Sequence, residues 1–278
     1  MEAMTLREKA RIVESAEAAY LAASFGNASP EVAEALGMKA FQMWGGVATI
    51  MANDPTGGFW SRCIGMGIDR EISTDLLEAL DSLYLMSDGK SMCFQVSPIA
   101  QPVNYEDVLE ANGYVRGRTW EKLLRELHDV PEVETSLEIK ELGLEHAPEY
   151  GEVCCAAFGM PGPQMVAWVN DHLGKPDWRV FGAFDGAKIV GVGAMYARGD
   201  VACLVSGATL PEYRGRGAQS AIMVARLNAA AEMELSWAST ETGSETVDSP
   251  NPSLHNMKRL GFEVVYQRYN WIKSFEPK

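Results

Sequence analysis

A glycine-containing turn between a strand-like run and a long helical pattern is the feature that most constrains the fold of this chain. The apolar run 201–205 precedes the turn, and the helix-forming segment 220–232 follows it. Gly215 and Gly217 allow a tight turn that a ligand can approach without meeting a Cβ atom. The first N–H groups of a helix lack partners within it, and two nearby arginines add positive charge. The turn therefore predicts a pyrophosphate site.

The turn differs from two other phosphate-binding patterns. No Gly-Lys-Ser/Thr follows the glycines, as a Walker loop requires, and the dinucleotide pattern Gly-x-Gly-x-x-Gly is absent here. The turn instead resembles motif A of the GNAT N-acetyltransferases, in which Arg/Gln-x-x-Gly-x-Gly/Ala holds the pyrophosphate of acetyl-CoA. Arg214 and Gly217 fit this motif, whereas Gln219 stands where the family usually has Gly or Ala.

The elements predicted for residues 137–275 also follow the order of the GNAT fold. Two strands flank the hairpin turn Asp185-Gly186, and a further strand leads into the glycine turn. After the long helix come another strand, a short helix ended by Gly261-Phe262, and one or two closing strands. In many family members a tyrosine four residues before this glycine protonates the departing thiolate. Met257 occupies that position here and cannot donate a proton.

The first half of the chain repeats part of the sequence pattern of the second half. A polar-capped short helix, a glycine stop and an aromatic residue occupy 104–114, as they do 251–262. The letters of motif A recur at 62–67, but inside the strand-like run 59–68, where sheet pairing would use the backbone N–H groups. We infer that this copy has lost acyl-CoA binding. The alternative is an unrelated α/β domain.

The sequence thus predicts an α/β protein with a mixed α+β sheet, built from two GNAT-like domains in tandem. Residues 1–130 would form a degenerate N-terminal domain, and residues 131–278 the complete domain that binds acetyl-CoA. The length of 278 residues fits two domains of ordinary size. The first predicted element is an amphipathic helix over 6–23, with Glu14 among the residues outside its apolar face.

Composition narrows the class of protein. The net charge of −14 argues against nucleic acid and anionic membranes as partners, and would draw a cationic acceptor such as an amine. The five cysteines lack Cys-x-x-Cys spacing, and no signal peptide is visible, so we expect a cytoplasmic protein with reduced thiols. The four histidines show no metal-ligand spacing, and no metal is expected. A monomer or a homodimer is equally compatible with the sequence.

The resemblance to motif A implies which residues contact acetyl-CoA, the cosubstrate. Backbone atoms of the preceding strand would hold the pantetheine and polarise the acetyl carbonyl, and the turn would hold the pyrophosphate. These residues are Ala208, Thr209 and Leu210 on the strand, and Arg214, Gly215, Arg216, Gly217, Ala218, Gln219 and Ser220 in the turn. Asn251 and Asn256 would reach the pantetheine or the acceptor, although asparagine before a helix also acts as an N-cap.

The acid–base groups are less sharply indicated. Glu241 and Glu245 follow the strand after the long helix, at the end where the acceptor would enter, and either could take a proton through water. His255 lies on the short helix near the thioester end and is a third candidate. Tyr266 and Tyr269 would replace the missing tyrosine acid, or else serve as core residues of the closing strands.

These features together predict an acetyl-CoA-dependent N-acetyltransferase. In GNAT-type sites the amine attacks the thioester directly, and the enzyme supplies positioning, an oxyanion donor and a proton route. The acceptor would be a primary amine on a small molecule, with protein N-termini and lysine side chains as further possibilities. Met257 supports an alternative, a non-catalytic acyl-CoA sensor. Gln219 supports a third hypothesis, transfer of a longer acyl chain.

Overall fold

The computed structural model describes residues 4–275. The chain divides into two compact units: unit 1 contains residues up to 122 together with those from 265 onward, and unit 2 contains residues 123–264. This division differs from the sequence-based boundary at 130/131, because two long strands cross from one unit to the other. The assignment of 1–130 and 131–278 as two copies of one fold stays a prediction.

Unit 1 begins with a pair of helices and continues as strands with helices between them. Thr5 starts the first helix through a capping box, in which its side chain accepts from the N–H of Glu8 while the Glu8 carboxylate accepts from the N–H of Thr5. The elements are α1 (Leu6–Gly26), α2 (Pro30–Leu36), β1 (Met38–Met43), β2 (Gly46–Met51), β3 (Arg62–Ile64), α3 (Thr74–Met86), β4 (Ser91–Val96), α4 (Tyr105–Ala111) and β5 (Val115–Glu126).

The remaining elements begin with one short strand and then repeat the order of unit 1. They are β6 (Glu138–Glu141), α5 (Glu149–Phe158), α6 (Pro163–Asn170), β7 (Trp178–Asp185), β8 (Lys188–Arg198), β9 (Val201–Thr209), α7 (Ala218–Glu232), β10 (Trp237–Gly243), α8 (Pro252–Arg259) and β11 (Glu263–Ser274). Short 3-10 turns occur at Leu144–His146 and Pro211–Tyr213. The series α1 to β5 and the series α5 to β11 therefore follow one pattern: two helices, three strands, a helix, a strand, a helix and a strand.

The last strand of each series explains the division into units. The strand order in unit 1 is β1-β2-β3-β4-β11-β5, and in unit 2 it is β5-β10-β9-β8-β7-β6. From residue 265 onward β11 belongs to unit 1, where it pairs antiparallel with β4 from Tyr269↔Val96 to Ser274↔Ser91. The end of β5 belongs to unit 2, where Leu127 N–H donates to Ser236 O at 2.8 Å.

Each unit has its own apolar core. In unit 1 the inner face of α3, including Leu76, Leu77 and Leu80, packs with Phe94 of β4 and Trp271 of β11. In unit 2 the helix α7 contributes Ile222, Met223 and Leu227, which pack against β8 and β9 and against Leu254 and Met257 of α8. Among residues 4–275, no helix is long and apolar enough to cross a membrane.

Candidate acyl-CoA site

The glycine turn before α7 leaves a row of backbone donors without partners. Gly217 is the N-cap residue of α7, with φ 83° and ψ 0°, and no side chain caps this helix. The first intrahelical bond at this end runs from Ala221 N–H to Gly217 O at 3.0 Å. Within the described chain, no acceptor is found for the N–H groups of residues 215–220. Such a row of N–H groups at the positive end of a helix dipole suits an anion.

The segment that leads into β6 packs against the turn. A Cβ atom on Gly217 would lie 3.0 Å from Glu134 O and 3.4 Å from Thr135 Cβ, so only glycine fits both the space and the left-handed backbone. Gly215 also has positive φ, 77°, but the space around its Cα is open. No signal in the sequence indicates that residues 134 and 135 pack against this turn.

The two arginines of the motif have different surroundings. Arg216 forms a bidentate ion pair with Asp185 of the β7–β8 hairpin, with N–O distances of 2.8 and 3.0 Å. The hydrogen bonds from Arg216 hold the pKa of Asp185 below its usual range. Arg214 is exposed, and no acceptor for its guanidinium group is found among residues 4–275. Arg214 is therefore available to bind an anionic ligand, whereas the charge of Arg216 is partly neutralised by Asp185.

The side chain of Gln219 connects α7 to α8. Its Nε2 donates to Ser253 Oγ at 2.6 Å, and its Oε1 accepts from Asn256 Nδ2 at 2.7 Å. The departure from Gly or Ala at this position therefore serves the packing of α8. The backbone N–H of Gln219 stays in the row of donors.

Asn251 is fully engaged as the N-cap of α8. Its Oδ1 accepts from the N–H groups of Ser253 and Leu254 at 3.0 and 3.2 Å. Its Nδ2 donates to Thr242 Oγ1 and Gly243 O at 2.9 and 2.6 Å. Two acceptor and two donor bonds use the whole capacity of the amide. Of the two interpretations offered by the sequence, this geometry matches the N-cap.

The structure brings two of the three acid–base candidates together. His255 Nε2 lies 2.7 Å from Glu245 Oε2, and Asn251 N–H donates to the same oxygen at 3.3 Å. These hydrogen bonds, the backbone one first, lower the pKa of Glu245. Glu241 lies on β10, where it is half-buried. Met257 is buried in the core of unit 2, 5% exposed.

The two parallel strands beside the turn separate before they end. The pairing of β9 with β10 covers only Val201↔Trp237 to Cys203↔Ser239, although β9 continues to Thr209 and β10 to Gly243. On its other side β9 remains paired with β8, and Leu210 N–H donates to Val190 O at 3.0 Å. Because successive residues of a strand point their N–H groups to opposite edges, Thr209 directs its N–H toward the unpaired edge. Leu210, one of the three predicted strand contacts, is thus already bonded to β8.

A β-bulge interrupts the pairing of β8 with β9. Val192 pairs with Ala208 and Ala194 pairs with Val205, so Ser206 and Gly207 together oppose the single residue Gly193. Ser206 adopts φ 54°, which is uncommon for a residue with a side chain. The bulge turns the backbone of β9 just before the residues predicted to contact the pantetheine.

The corresponding turn in unit 1 is filled by protein. The predicted strand 59–68 is confined to β3, and two glycines with positive φ follow it. A Cβ atom on Gly65 would lie 3.4 Å from Ala18 Cβ, and one on Gly67 would lie 2.7 Å from Ala100 Cβ. At the start of α3 the Ser73 hydroxyl accepts from Leu76 N–H at 3.3 Å. This helix thus has the side-chain cap that α7 lacks.

Comparison with known proteins places the fold. No family model matches the chain, and no curated protein matches it in sequence. A GCN5-related N-acetyltransferase from Kribbella flavida is similar in structure, with a TM-score of 0.67 at 15% identity, over 96% of each chain.

Two further solved structures agree with this comparison. A GCN5-related N-acetyltransferase from Sphaerobacter thermophilus has a TM-score of 0.59 at 15% identity, over 86% of this chain and 76% of that one. A tandem GNAT protein from the clavulanic acid biosynthesis pathway, without AcCoA, has a TM-score of 0.56 at 19% identity, over 78% and 75%. The protein therefore has the fold of the GNAT N-acetyltransferases, as its sequence predicts.

Proposed function

We propose that this protein is an acetyl-CoA-dependent N-acetyltransferase that acts on a primary amine of a small molecule. The observation that carries the proposal is the contrast between two helix N-termini in one chain. The N-terminus of α3 is capped by Ser73 and its turn is filled, whereas α7 begins at an uncapped glycine turn with free N–H groups. This contrast supports a ligand site at the turn before α7.

The proposed cosubstrate fits the residues of this turn and of the neighbouring strand. The N–H groups of residues 215–220 would hold the pyrophosphate, and exposed Arg214 would add positive charge. The unpaired edge of β9 beyond Cys203 would hold the amide groups of the pantetheine, as a further strand would. Thr209 N–H lies on this edge. The side chains of Asn251 and Asn256 have partners within the protein, and we assign them to the support of α8.

The reaction follows from direct attack. The acceptor nitrogen forms a bond with the thioester carbon, the carbonyl oxygen takes up negative charge, and the C–S bond then breaks. The amine loses a proton, and the leaving sulfur takes one up. Glu245 stays ionised because of its lowered pKa, and its contact with His255 provides a route along which the amine proton can leave through water. Glu241 is the alternative base.

A non-catalytic acyl-CoA sensor is the second candidate function. Met257 is buried in the core of unit 2, where it has no proton to offer. The hydroxyl of Tyr266 donates to Glu14 at 2.7 Å within unit 1, and burial raises its pKa well above the usual value. Neither residue supplies the proton that many GNAT enzymes give to the leaving thiolate. A sensor would not need that proton.

The proposal extends to the organisation of the chain. The repeated order of elements supports two GNAT-like copies, 1–130 and 131–278, of which the first no longer binds acyl-CoA. All five cysteines are buried thiols, which supports a cytoplasmic location. The net charge of −14 supports an amine rather than nucleic acid as partner.

Release of free CoA separates the two candidate functions. Purified protein is incubated with acetyl-CoA and a panel of small primary amines, and the free thiol is measured against a sample without amine. An acetyltransferase releases CoA only with particular amines, and mass spectrometry finds the acetylated product. Saturable binding of acetyl-CoA without amine-dependent release would instead support the sensor. Absence of binding would remove both.

A further inference from the structure

Arg226 is a cation buried in unit 2 without a counter-ion. It lies on α7, and its side chain is 2% exposed. Among residues 4–275, no carboxylate lies within ion-pair distance of its guanidinium group. Burial lowers its pKa to about 10, which still leaves the group charged at neutral pH. A buried charge without an opposite charge is strongly destabilising, so its presence requires an explanation.

Two glycines make room for this side chain in the sheet. A Cβ atom on Gly193 of β8 would lie 3.0 Å from Cζ of Arg226. A Cβ atom on Gly207 of β9 would lie 3.5 Å from Nη2. These glycines are the two sides of the bulge between β8 and β9. The guanidinium group therefore occupies the gap that the bulge opens.

The hydrogen bonds of Arg226 leave one nitrogen unused. Nε donates to Ile222 O at 3.3 Å, and Nη1 donates to Ala194 O at 2.9 Å and to Val205 O at 3.0 Å. These bonds use three of the five N–H groups of a guanidinium. For the two N–H groups of Nη2, the described chain offers no acceptor.

The unused nitrogen faces an open part of the surface. Gly207 is exposed. Among residues 4–275, and apart from its two chain neighbours, Nη2 is the only heavy atom within 4 Å of a Cβ built on Gly207. A ligand atom placed above Gly207 can therefore reach a cation that is otherwise sealed in the protein. The bulge lies in β9, the strand whose unpaired edge is proposed to hold the pantetheine.

We propose that Nη2 of Arg226 binds a carboxylate of the acceptor, so that the substrates of this protein are amino acids or similar amines that carry an acid group. This inference rests on the proposed function. A carboxylate supplies the missing opposite charge, and a charge-assisted hydrogen bond in a shielded position is stronger than one between neutral groups. A neutral oxygen would leave the cation uncompensated.

Coenzyme A is not the source of this anion. Arg226 lies eight residues after Ala218, the first residue of α7. At 1.5 Å per residue this separates it by about 12 Å from the turn that would hold the pyrophosphate. The phosphate groups are thus bound at one end of the helix, and Arg226 is left for the second substrate. The assignment makes Arg226 and Gly207 determinants of acceptor specificity.

Matched acid and amide substrates test the proposal. Acetyl transfer is measured for pairs such as glycine and glycinamide, β-alanine and β-alaninamide, and an L-amino acid and its amide. Rates are compared per concentration of neutral amine, because the members of a pair differ in amine pKa. For wild type we expect kcat/KM to favour the acid member of at least one pair by about tenfold or more, as a hydrogen bond to a charged group provides.

Two variants test the site, one by adding a methyl group and one by removing the charge. Gly207→Ala places a methyl group in ordinary contact with Nη2 and leaves the three carbonyl bonds of Arg226 in place, so the fold should persist. Arg226→Gln removes the charge. Both should lose the preference for the acid member of each pair. Arg179→Gln is the control, since Arg179 pairs with Glu141 and Glu232 elsewhere in unit 2.

The outcomes separate this inference from the proposed function. Equal rates for acid and amide in wild type, or turnover of amides alone, contradict the carboxylate assignment. A preference that survives in a folded Gly207→Ala protein contradicts it also, even if Arg226→Gln fails to fold. Acetyl-CoA binding without turnover of any acid-bearing amine counts against it too. Loss of acetyl-CoA binding in wild type would instead remove the proposed function itself.

Discussion

The hydroxyl of Thr135 donates a hydrogen bond to the carbonyl oxygen of Arg216, at 2.8 Å. The same segment places Glu134 O against Gly217, where a Cβ atom would lie 3.0 Å from it. The turn is therefore organised by residues of unit 2 that lie far from it in sequence. A preformed anion site loses less conformational freedom on binding than a flexible loop would.

The two glycines of the turn should differ in their tolerance of alanine. Each has positive φ, which costs a residue with a Cβ atom about 1–2 kcal/mol. Gly217→Ala also brings the new Cβ within 3.0 Å of Glu134 O, whereas the space at Gly215 is open. We expect Gly217→Ala to lower the free energy of unfolding more than Gly215→Ala does. Urea denaturation of both variants measures the difference. Equal losses would show that Glu134 does not restrain the turn.

Removal of Asp185 should tighten acetyl-CoA binding. Its carboxylate pairs with Arg216 and lies where it opposes an incoming phosphate. Asp185→Asn frees the arginine, so we expect the dissociation constant to fall by up to about fivefold, the size of a partly exposed ion pair. Calorimetry at low and high salt checks this, since salt screens such charges. Glu141→Gln, which removes one of the two partners of Arg179, is the matched control and should leave the affinity unchanged.

His172 should make unit 2 sensitive to acid. Its ring stacks on Trp178 at 4.0 Å, and burial, aided by Lys175, lowers its pKa from 6.5 to about 3. Below pH 6.5 the unfolded chain binds a proton that the folded protein refuses, so the free energy of unfolding falls as the pH drops toward 3. His172→Phe should remove this part of the slope, measured by urea denaturation from pH 7 to pH 4.

The buried charges of unit 1 should be sensitive to the loss of Glu17. Its carboxylate accepts from Arg62 at 2.8 Å, from Lys122 at 2.7 Å and from Arg268. Burial alone would raise the pKa of Glu17, but Arg268, Lys122 and Arg62 outweigh it and hold the pKa well below its usual range. Glu17→Gln removes one negative charge that these three buried cations share, which costs about 3–5 kcal/mol of unfolding free energy.

The pH dependence of this loss has a definite sign. Because the pKa of Glu17 is depressed in the folded state, its contribution is complete above the unfolded pKa and is lost as the pH falls below it. Denaturation curves of wild type and Glu17→Gln should therefore converge below about pH 4.5. Asp69→Asn, which breaks the exposed pair with Arg11, should change stability by less than about 1 kcal/mol. A gap between wild type and Glu17→Gln that stays constant with pH would contradict this account.

The local elements of the site could be predicted because their signals are local. Two glycines, an apolar run before them and a helix-forming run after them suffice for β9, the turn and α7, and the structure confirms this order. The Asp185-Gly186 turn between β7 and β8 is confirmed in the same way. The strand β1 was not predictable, because none of its residues is buried and they show no apolar alternation.

Long-range features left no local signal. The sequence places Glu14 outside the apolar face of the first helix, but the structure buries Glu14 and Glu17, where they meet arginines from distant strands. The sequence likewise does not indicate that Arg226 is buried, because Gly193 and Gly207, which make room for its side chain, lie on other elements of the chain. The pairing of β5 and β11 depends on strands that lie far away in the chain. For this reason the compact unit 2 begins at residue 123 and ends at residue 264, whereas the predicted boundary lies at 130/131.

Binding of the acetyl-CoA pyrophosphate by the turn before α7 can be measured by a thermal-shift titration with acetyl-CoA. The variant is Gly215→Asp, which brings a negative charge into the turn without a steric clash. The control is Gly199→Asp in the β8–β9 hairpin, where φ is also positive and the space is also open. Aspartate tolerates this backbone conformation better than most residues do.

Ligand at 100 times its dissociation constant adds about 2.7 kcal/mol, which raises the melting temperature by several degrees. We expect this shift for wild type and Gly199→Asp and its loss in Gly215→Asp. No shift in wild type, or an equal shift in Gly215→Asp, would contradict it.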